Sequence, residues 1–521
     1  MTFRASVLNI LNDFPRASRG EVPVYTVPAL DIRTVASCLY HDEKLLLMSV
    51  VAADERPGGG SFCVYYSFGD PTHHAVLVLR VVLGEATTFP SIVHEVHEAS
   101  WYEKEIYTLF GLTPEGHPHL QRVLVHENWP TDAFPLRKDF SWDTRPEMAD
   151  GVFEFSRVEG EGIYEVPVGP IHAGIIEPGH FRFSMIGEEI IQLEARLGYV
   201  HKGSEKLFET LPFEKKVQLA ERISGDSSIG HVLAFCQGVE SMANVSVPAR
   251  AQHIRVLCAE LERLANHMND IGLIMLGTAY NFGSSQLARI RERVMLLNER
   301  VTGHRYMRGM VVLGGISRDV SDDVLAGALR ELAHIHKDFN DVMRICRGNI
   351  TMLNRLEGSG TIDRTAAIDH GILGLGAKAI GIARDARKEF PYAVYPDLKF
   401  EIPLEESGDV YARWMVRVRE VPEVFSILDQ VIRSIPSGSL RGDMPAALPP
   451  NMISHGISEG WRGTIVHTIL TDNQGIITRV QVRDPSFLNW HAFGYAAKGG
   501  VLLDFPLINK SFNLSYSGYD R

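Results

Sequence analysis

A chain of 521 residues is too long for one ordinary core, and 45% hydrophobic, 22% charged and 9% aromatic residues exclude wholesale disorder and fibrous repeats. The net charge of −12 gives no general attraction for nucleic acid or anionic lipid. No apolar run is long enough to predict a membrane span. The opening MTFRASVLNILNDFPRAS does not read as a secretory signal. Cys38, Cys63, Cys236, Cys258 and Cys346 are scattered and form no CxxC, so neither a disulfide framework nor a thiolate cluster is expected. These features predict a cytoplasmic-side protein of several domains.

Residues 1–145 read as an α+β domain. Residues 44–52 (KLLLMSVVA), followed by a Gly-rich turn at 57–60, then SFCVYYSF and HAVLVLRVVL, carry the β-branched and aromatic residues that suit strands. After Pro90, SIVHEVHEASWYEKEIYTLFG has apolar residues at helical spacing and stops at Gly111. Residues 146–165 are charged, contain Gly and lack apolar periodicity, which predicts a linker.

From 166 to 521 helices dominate. Ile254, Leu257, Leu261, Leu264, Met268 and Ile271, with Arg and Glu between them, predict a helix over 248–277. Further helices are expected at 286–300, 321–347 and 364–390, packed as a bundle. Residues 461–482 return to strands joined by a turn at 472–475. The fold class is α+β: an N-terminal α+β domain followed by a mainly helical domain with a small β-sheet.

The chain has no GxxxxGK[ST], no GxGxxG opening a helix after a strand, no HExxH, no Cys/His set at zinc spacing and no GxSxG. So little catalytic punctuation suits one subunit of a larger assembly. Three segments stand out. In VGPIHAGIIEPGHFRF (168–183), His172, Glu177 and His180 form either a turn between strands or a titratable loop that passes protons. In LAERISGDSSIGHVLAFCQGVE (219–240) a Ser-Gly-Asp-Ser interrupts a helical pattern, and RDPSFLNW (483–490) breaks after a strand.

Together these segments, with GYVHKGSEKLFE (198–209), AELERLANHMNDIG (259–272), ARDARKEFPYAVY (383–395), GDVYARWMVRVRE (408–420) and EGWRG (459–463), resemble the large subunit shared by respiratory complex I and the energy-converting nickel–iron hydrogenases. The first of the three is similar to the first loop of the hydrogenase-type members, including the large subunit of formate hydrogenlyase. Residues 102–140 are similar to the complex I 30-kDa subunit. The resemblance thus implies a fused 30-kDa/49-kDa-type chain, with the second domain like a hydrogenase large subunit.

Family hydrogenases hold nickel and iron through RxCGxC and DPCxxC. Here the four thiolate positions are Ser224, Ser227, Ser486 and Asn489. Neutral hydroxyls and an amide do not replace soft thiolates, so neither a metal in this chain nor hydrogenase activity is expected. The tail DFPLINKSFNLSYSGYDR is similar to the untrimmed end of the complex I 49-kDa-type subunit.

The resemblance implies that an iron–sulfur small subunit delivers electrons to a metal-free cavity, with a ferredoxin-like subunit and antiporter-like membrane subunits as further partners and no nucleic acid. A quinone or similar acceptor would be reduced there, coupled to ion translocation, on the cytoplasmic side of the inner membrane. Any NADH chemistry would belong to a partner. Glu177 and His180 would supply protons, the catalytic role. His172, Arg222, Ser224, Asp226, Ser227, Arg462, Ser486 and Asn489 would line the acceptor cavity, which is expected to be dry and partly apolar. Arg462 would either hold an acceptor oxygen or sit in a structural ion pair. The complex I tyrosine expected soon after Arg222 is absent, which leaves open a coupling role without chemistry of its own.

Overall fold

The computed structural model describes the chain except residues 1, 2, 19–21, 174 and 175. Its strands run β1 (Arg16–Ser18), β2 (Pro23–Thr26), β3 (Leu46–Asp54), β4 (Phe62–Asp70), β5 (Ala75–Val82), β6 (Thr88–Pro90), β7 (Thr113–Glu115), β8 (Ile163–Val168), β9 (His180–Ile186), β10 (Glu189–Arg196), β11 (Val311–Val312), β12 (Gly315–Ile316), β13 (Ile453–Gly460), β14 (Gly463–Thr471) and β15 (Ile477–Arg483).

The N-terminal part is a five-stranded sheet in the order β1-β2-β5-β4-β3, with only β2 and β5 parallel. Every residue of β3 and β4 is buried, because the sheet is covered on both faces. Val50, Ala52, Tyr66 and Phe68 pack with Ile106, Leu109 and Phe110 of the helix Ser100–Phe110. Val51, Ala53, Cys63 and Tyr65, one residue out of phase, pack with Ile453 and Leu470 of the β13-β14-β15 sheet. Two-sided burial explains why these strands read as unbroken hydrophobic runs. Polar cross-links join the sheets: Ser49 Oγ lies 2.9 Å from Thr468 Oγ1, and the Arg483 guanidinium donates to the Met48 carbonyl at 3.0 Å.

On its other side the β13-β14-β15 sheet meets the helix Ser228–Met242. A Cβ on Gly456 of β13 would stand 1.6 Å from the Ala234 carbonyl oxygen, so only glycine lets strand and helix backbones touch. Beyond this layer, Ala249–Gly277 is the central helix of a bundle with Asn281–Thr302, Asp322–Cys346 and Val410–Ser434.

Two expectations need correction. The helix read over 364–390 is three short helices, Arg364–Asp369, Gly374–Lys378 and Ala386–Glu389. Gly371 and Gly381 between them, and Gly374 at the start of the second, have φ of +62°, +74° and +58°, which a continuous helix does not permit. The Arg and acidic residues between the apolar positions of the central helix are buried in ion pairs: Arg255 pairs with Glu240, Asp270 with Arg417, and Glu260 with Arg263 and Arg387. Finally, the linker read to 165 ends earlier, since β8 starts at Ile163 and pairs with β9 in the β10-β9-β8 sheet. The preceding residues lie against that sheet, with Arg196 over the Phe153 ring and Arg182 over the Phe155 ring.

Glu103, on the helix Ser100–Phe110, is buried, its Oε1 accepting from the Ile92 backbone N–H at 2.8 Å, and burial pushes its carboxyl up to about 8. A carboxyl raised above its ordinary 4.5 makes the folded state bind more protons than the unfolded one between those values. Stability therefore falls as pH rises through that window. The loss in thermal midpoint from pH 5 to pH 8 is expected to be smaller in Glu103→Gln than in the unsubstituted chain.

Candidate functional site

Sharp turns bring the three segments together. Ser224 and Ser227 lie in the turn before the helix Ser228–Met242, and Arg462 in the two-residue turn between β13 and β14. Asp484 follows β15 and caps the helix Pro485–Ala497, its side chain accepting from Ser486 N at 2.7 Å. Their meeting point is filled by the C-terminal residues. Ser515 N donates to Ser486 Oγ at 3.0 Å, and Ser515 Oγ shares a hydrogen bond with Ser224 Oγ at 2.8 Å and accepts from Gly518 N at 2.8 Å.

Ser224 Oγ then donates to Asp226 Oδ1 at 3.0 Å, and both Asp226 oxygens take Arg462 at 2.7 Å. The guanidinium lies 3.8 Å over the Trp461 ring and donates to the Asn513 carbonyl. Ser227 Oγ accepts from Arg462 at 3.4 Å. Asn489, one turn beyond Ser486, instead exchanges hydrogen bonds with both backbone groups of Leu373, at 2.9 and 3.2 Å. Three of the four segment residues thus share one network, and the amide serves the backbone.

The charges are arranged around this network. Burial opposes ionisation of Asp226, yet Arg462 holds the carboxyl below its ordinary range. Asp484 is likewise lowered against burial, by the His231 Nε2 contact at 3.0 Å and by Arg462. His231 Nδ1 in turn lies 3.1 Å from His467 Nε2. Glu262 accepts from Ile229 N and Gly230 N, and burial pushes its carboxyl up to about 8.

Around residues 169–180, Glu177 is exposed and its Oε2 accepts from Ser517 N at 3.0 Å. His172 ties the neck of the segment through Nε2 and the Gly179 carbonyl, 2.7 Å apart. Part of this segment, residues 174 and 175, lies outside the described residues. His180 begins β9 and is buried beside Phe155, with Nδ1 3.4 Å from the Gly169 carbonyl and no partner for Nε2 among the described residues. Burial lowers its pKa. No hydrogen bond joins Glu177 to His180 among the described residues.

Two expectations for the site change. Ser224, Ser227, Ser486 and Arg462 do not line an open, dry cavity: their polar groups are satisfied by one another and by the tail. Arg222 does not join them; its side chain is 54% exposed and donates to the Gln218 carbonyl within its own turn. Sequence reading missed Asn513, Ser515 and Ser517. The signal was the small hydroxyls set among Phe512, Leu514, Tyr516 and Tyr519 in an apolar tail.

This fold and constellation define the large subunit of a hydrogenase-like or complex I-like oxidoreductase. The chain belongs to that family in its fused 30-kDa/49-kDa form. It matches the respiratory-chain NADH dehydrogenase 30 Kd subunit over residues 25–146 and the 49 Kd subunit over 283–459 and 444–521. It is 32% identical to formate hydrogenlyase subunit 5 of Escherichia coli, covering 95% of this chain and 88% of that one. It is 31% identical to hydrogenase-4 component G of the same organism, over 94% and 86%. A fused NADH-quinone oxidoreductase protein of Bdellovibrio bacteriovorus is 26% identical over 96% and 94%. Among solved structures, a chain of the membrane-bound sulfane sulfur reductase, an archaeal respiratory membrane complex, superposes with TM-score 0.65 at 28% identity, covering 69% of this chain and 99% of that one. No helix of the described residues is long and apolar enough to cross a membrane.

The nickel–iron centre of the hydrogenase members does not fit the residues present. Ser224 and Ser486 are neutral hydroxyls already joined through Ser515, a hard and occupied donor set where soft thiolates are needed. The ion pair that closes the network is testable. Because the Asp226 side chain is 39% exposed, Arg462→Met is expected to cost about 1–3 kcal/mol, below the cost of breaking a fully buried pair. Asp226→Asn in the same chain is expected to recover part of this in denaturant unfolding; a double loss equal to the sum of the two single losses would show that the pair is uncoupled.

Proposed function

We propose that this chain is the subunit of a membrane-associated oxidoreductase complex at which electrons from an iron–sulfur partner reach a quinone or similar acceptor, coupled to ion translocation by antiporter-like partners on the cytoplasmic side of the inner membrane. The observation that carries this reading is the rim of the serine network. The tail fills its inside, while Gly225, Asp226 and the exposed Glu177 reach the surface beside one another's hydrogen-bond partners. The acceptor would therefore meet the chain at this rim, under an iron–sulfur subunit, rather than in a pocket within it.

Reducing a quinone to a quinol takes two electrons and two protons. Glu177 is a surface carboxyl held by a single tail N–H, and His180 has an unpartnered ring nitrogen, so each could relay a proton taken up from solvent. The Arg462–Asp226 pair supplies a fixed dipole at the rim of the serine network. The sulfane sulfur reductase relative widens the acceptor class beyond quinones.

A second reading, a coupling role without chemistry, is favoured by one observation: Ser515 occupies the centre where a reactive group would sit. Rapid anaerobic re-oxidation of the pre-reduced native complex by a short-chain quinone, followed by iron–sulfur absorbance with a site inhibitor as control, separates the two. Fast, inhibitor-sensitive re-oxidation that slows about 100-fold in His180→Ala supports the proton-donor reading. An unchanged rate in that variant, or no re-oxidation of an intact complex by quinone or by polysulfide, supports the coupling reading. Metal analysis of the same complex is expected to find no stoichiometric nickel; one nickel per chain would overturn the account of the serine positions.

A further inference from the structure

A cavity of about 250 Å³ opens where the N-terminal domain, the segment before β8 and the C-terminal helix meet. Its walls include Trp101, Phe153 and Tyr495, and the His491 ring that stacks on Trp101 at 3.1 Å between centroids and 7° between planes. Two guanidiniums line it. Arg196 is 7% exposed, donates to the Val125 carbonyl at 2.9 Å and to Glu127 at 3.4 Å, and its Nε has no partner among the described residues. Arg122 donates to the carbonyls of Trp129 and Pro130 and has no carboxylate partner among the described residues. Both cations line the same cavity, and burial together with the neighbouring Arg196 depresses the Arg122 guanidinium. The one lining carboxylate, Glu194, already holds the Ser156 backbone N–H at 2.8 Å. His491 Nε2 adds a further buried nitrogen without a partner among the described residues.

Two guanidiniums on one cavity, Arg122 without a carboxylate partner and the buried Arg196 with an unspent Nε among the described residues, call for an anion, and flat aromatic walls call for a flat apolar body. We propose that this cavity binds a small organic anion with a planar body, an aromatic carboxylate being the chemistry it fits. The carboxylate takes Arg122 and Arg196, and the ring lies among Trp101, Phe153 and Tyr495. Because the walls come from three parts of the chain, an occupant ties the N-terminal domain to the C-terminal helix. This site is separate from the serine network and does not depend on the electron-transfer reading.

The probes are sodium benzoate, benzyl alcohol as the neutral isostere and inorganic phosphate as the anion without a ring, titrated calorimetrically into the full chain. Saturable benzoate binding, weaker binding of both controls, and quenching of tryptophan fluorescence by benzoate are expected. Arg122→Met should weaken benzoate at least about tenfold, and Arg122→Lys should keep most of the affinity. Absence of saturable benzoate binding to the folded chain, or equal affinity in a folded Arg122→Met, overturns the proposal. Phosphate or benzyl alcohol binding as tightly as benzoate overturns the chemistry assigned to the occupant. Should Arg122→Met fail to fold, the wild-type comparison of the three probes still decides.

Discussion

The guanidinium of Arg521 is the tie on which the arrangement of both halves depends. It is buried between Glu105, on the helix Ser100–Phe110 of the N-terminal domain, and Glu205, at the start of the helix Ser204–Thr210 of the large domain. Glu205 also takes Arg479 at 2.6 Å and the Val482 N–H, and Arg479 reaches the Ala52 carbonyl of β3. Three cation–anion contacts thus close over the seam where the two sheets pack. Loss of one partner from such a buried set costs about 3–5 kcal/mol, because the remaining charge stays out of water. The same tie fixes the backbone of residues 513–521, and so places the Ser515 hydroxyl between Ser224 and Ser486. Domain docking and site architecture follow from one constraint.

What the sequence made legible follows from how local each signal is. β3, β4 and β5 were readable because two-sided burial demands apolar residues at nearly every position, whatever covers them. The helix Ser100–Phe110 was readable because Gly111 closes it in the left-handed conformation. The break-up of 364–390 was not. Gly374 is set by a long-range approach, since a Cβ there would lie 1.9 Å from the Arg462 carbonyl oxygen. Helical periodicity reports apolar spacing and says nothing of a backbone that arrives from far along the chain.

The central helix shows the same limit in charge. Its apolar stripe was plain, but the burial of Arg255, Glu260, Arg263 and Asp270 was not legible, because nothing in the stripe reports what neutralises them. Their partners, Glu240, Arg387 and Arg417, come from other segments. Likewise the three site segments could be read from short motifs in order, whereas the tail hydroxyls that join two of them could not, being defined by contacts between residues distant in sequence.

The substitution of hydroxyl for thiol at these positions changes what the centre demands. Thiolates would repel one another and require cations between them. Serine hydroxyls require donors and acceptors, which a backbone can supply, and Ser515 with its N–H and Oγ supplies them to Ser486 and Ser224. Once the centre is satisfied this way, with Asp484 held inside against His231, the charge left within a partner's reach is the Asp226–Arg462 pair and the Glu177 carboxyl. Both are at the rim, where a partner could desolvate them and so strengthen their fields. In the proposed reading, loss of the metal therefore moves the reactive surface outward: the chain keeps the proton donors and the fixed charges of its family, and the partner that covers them completes the site.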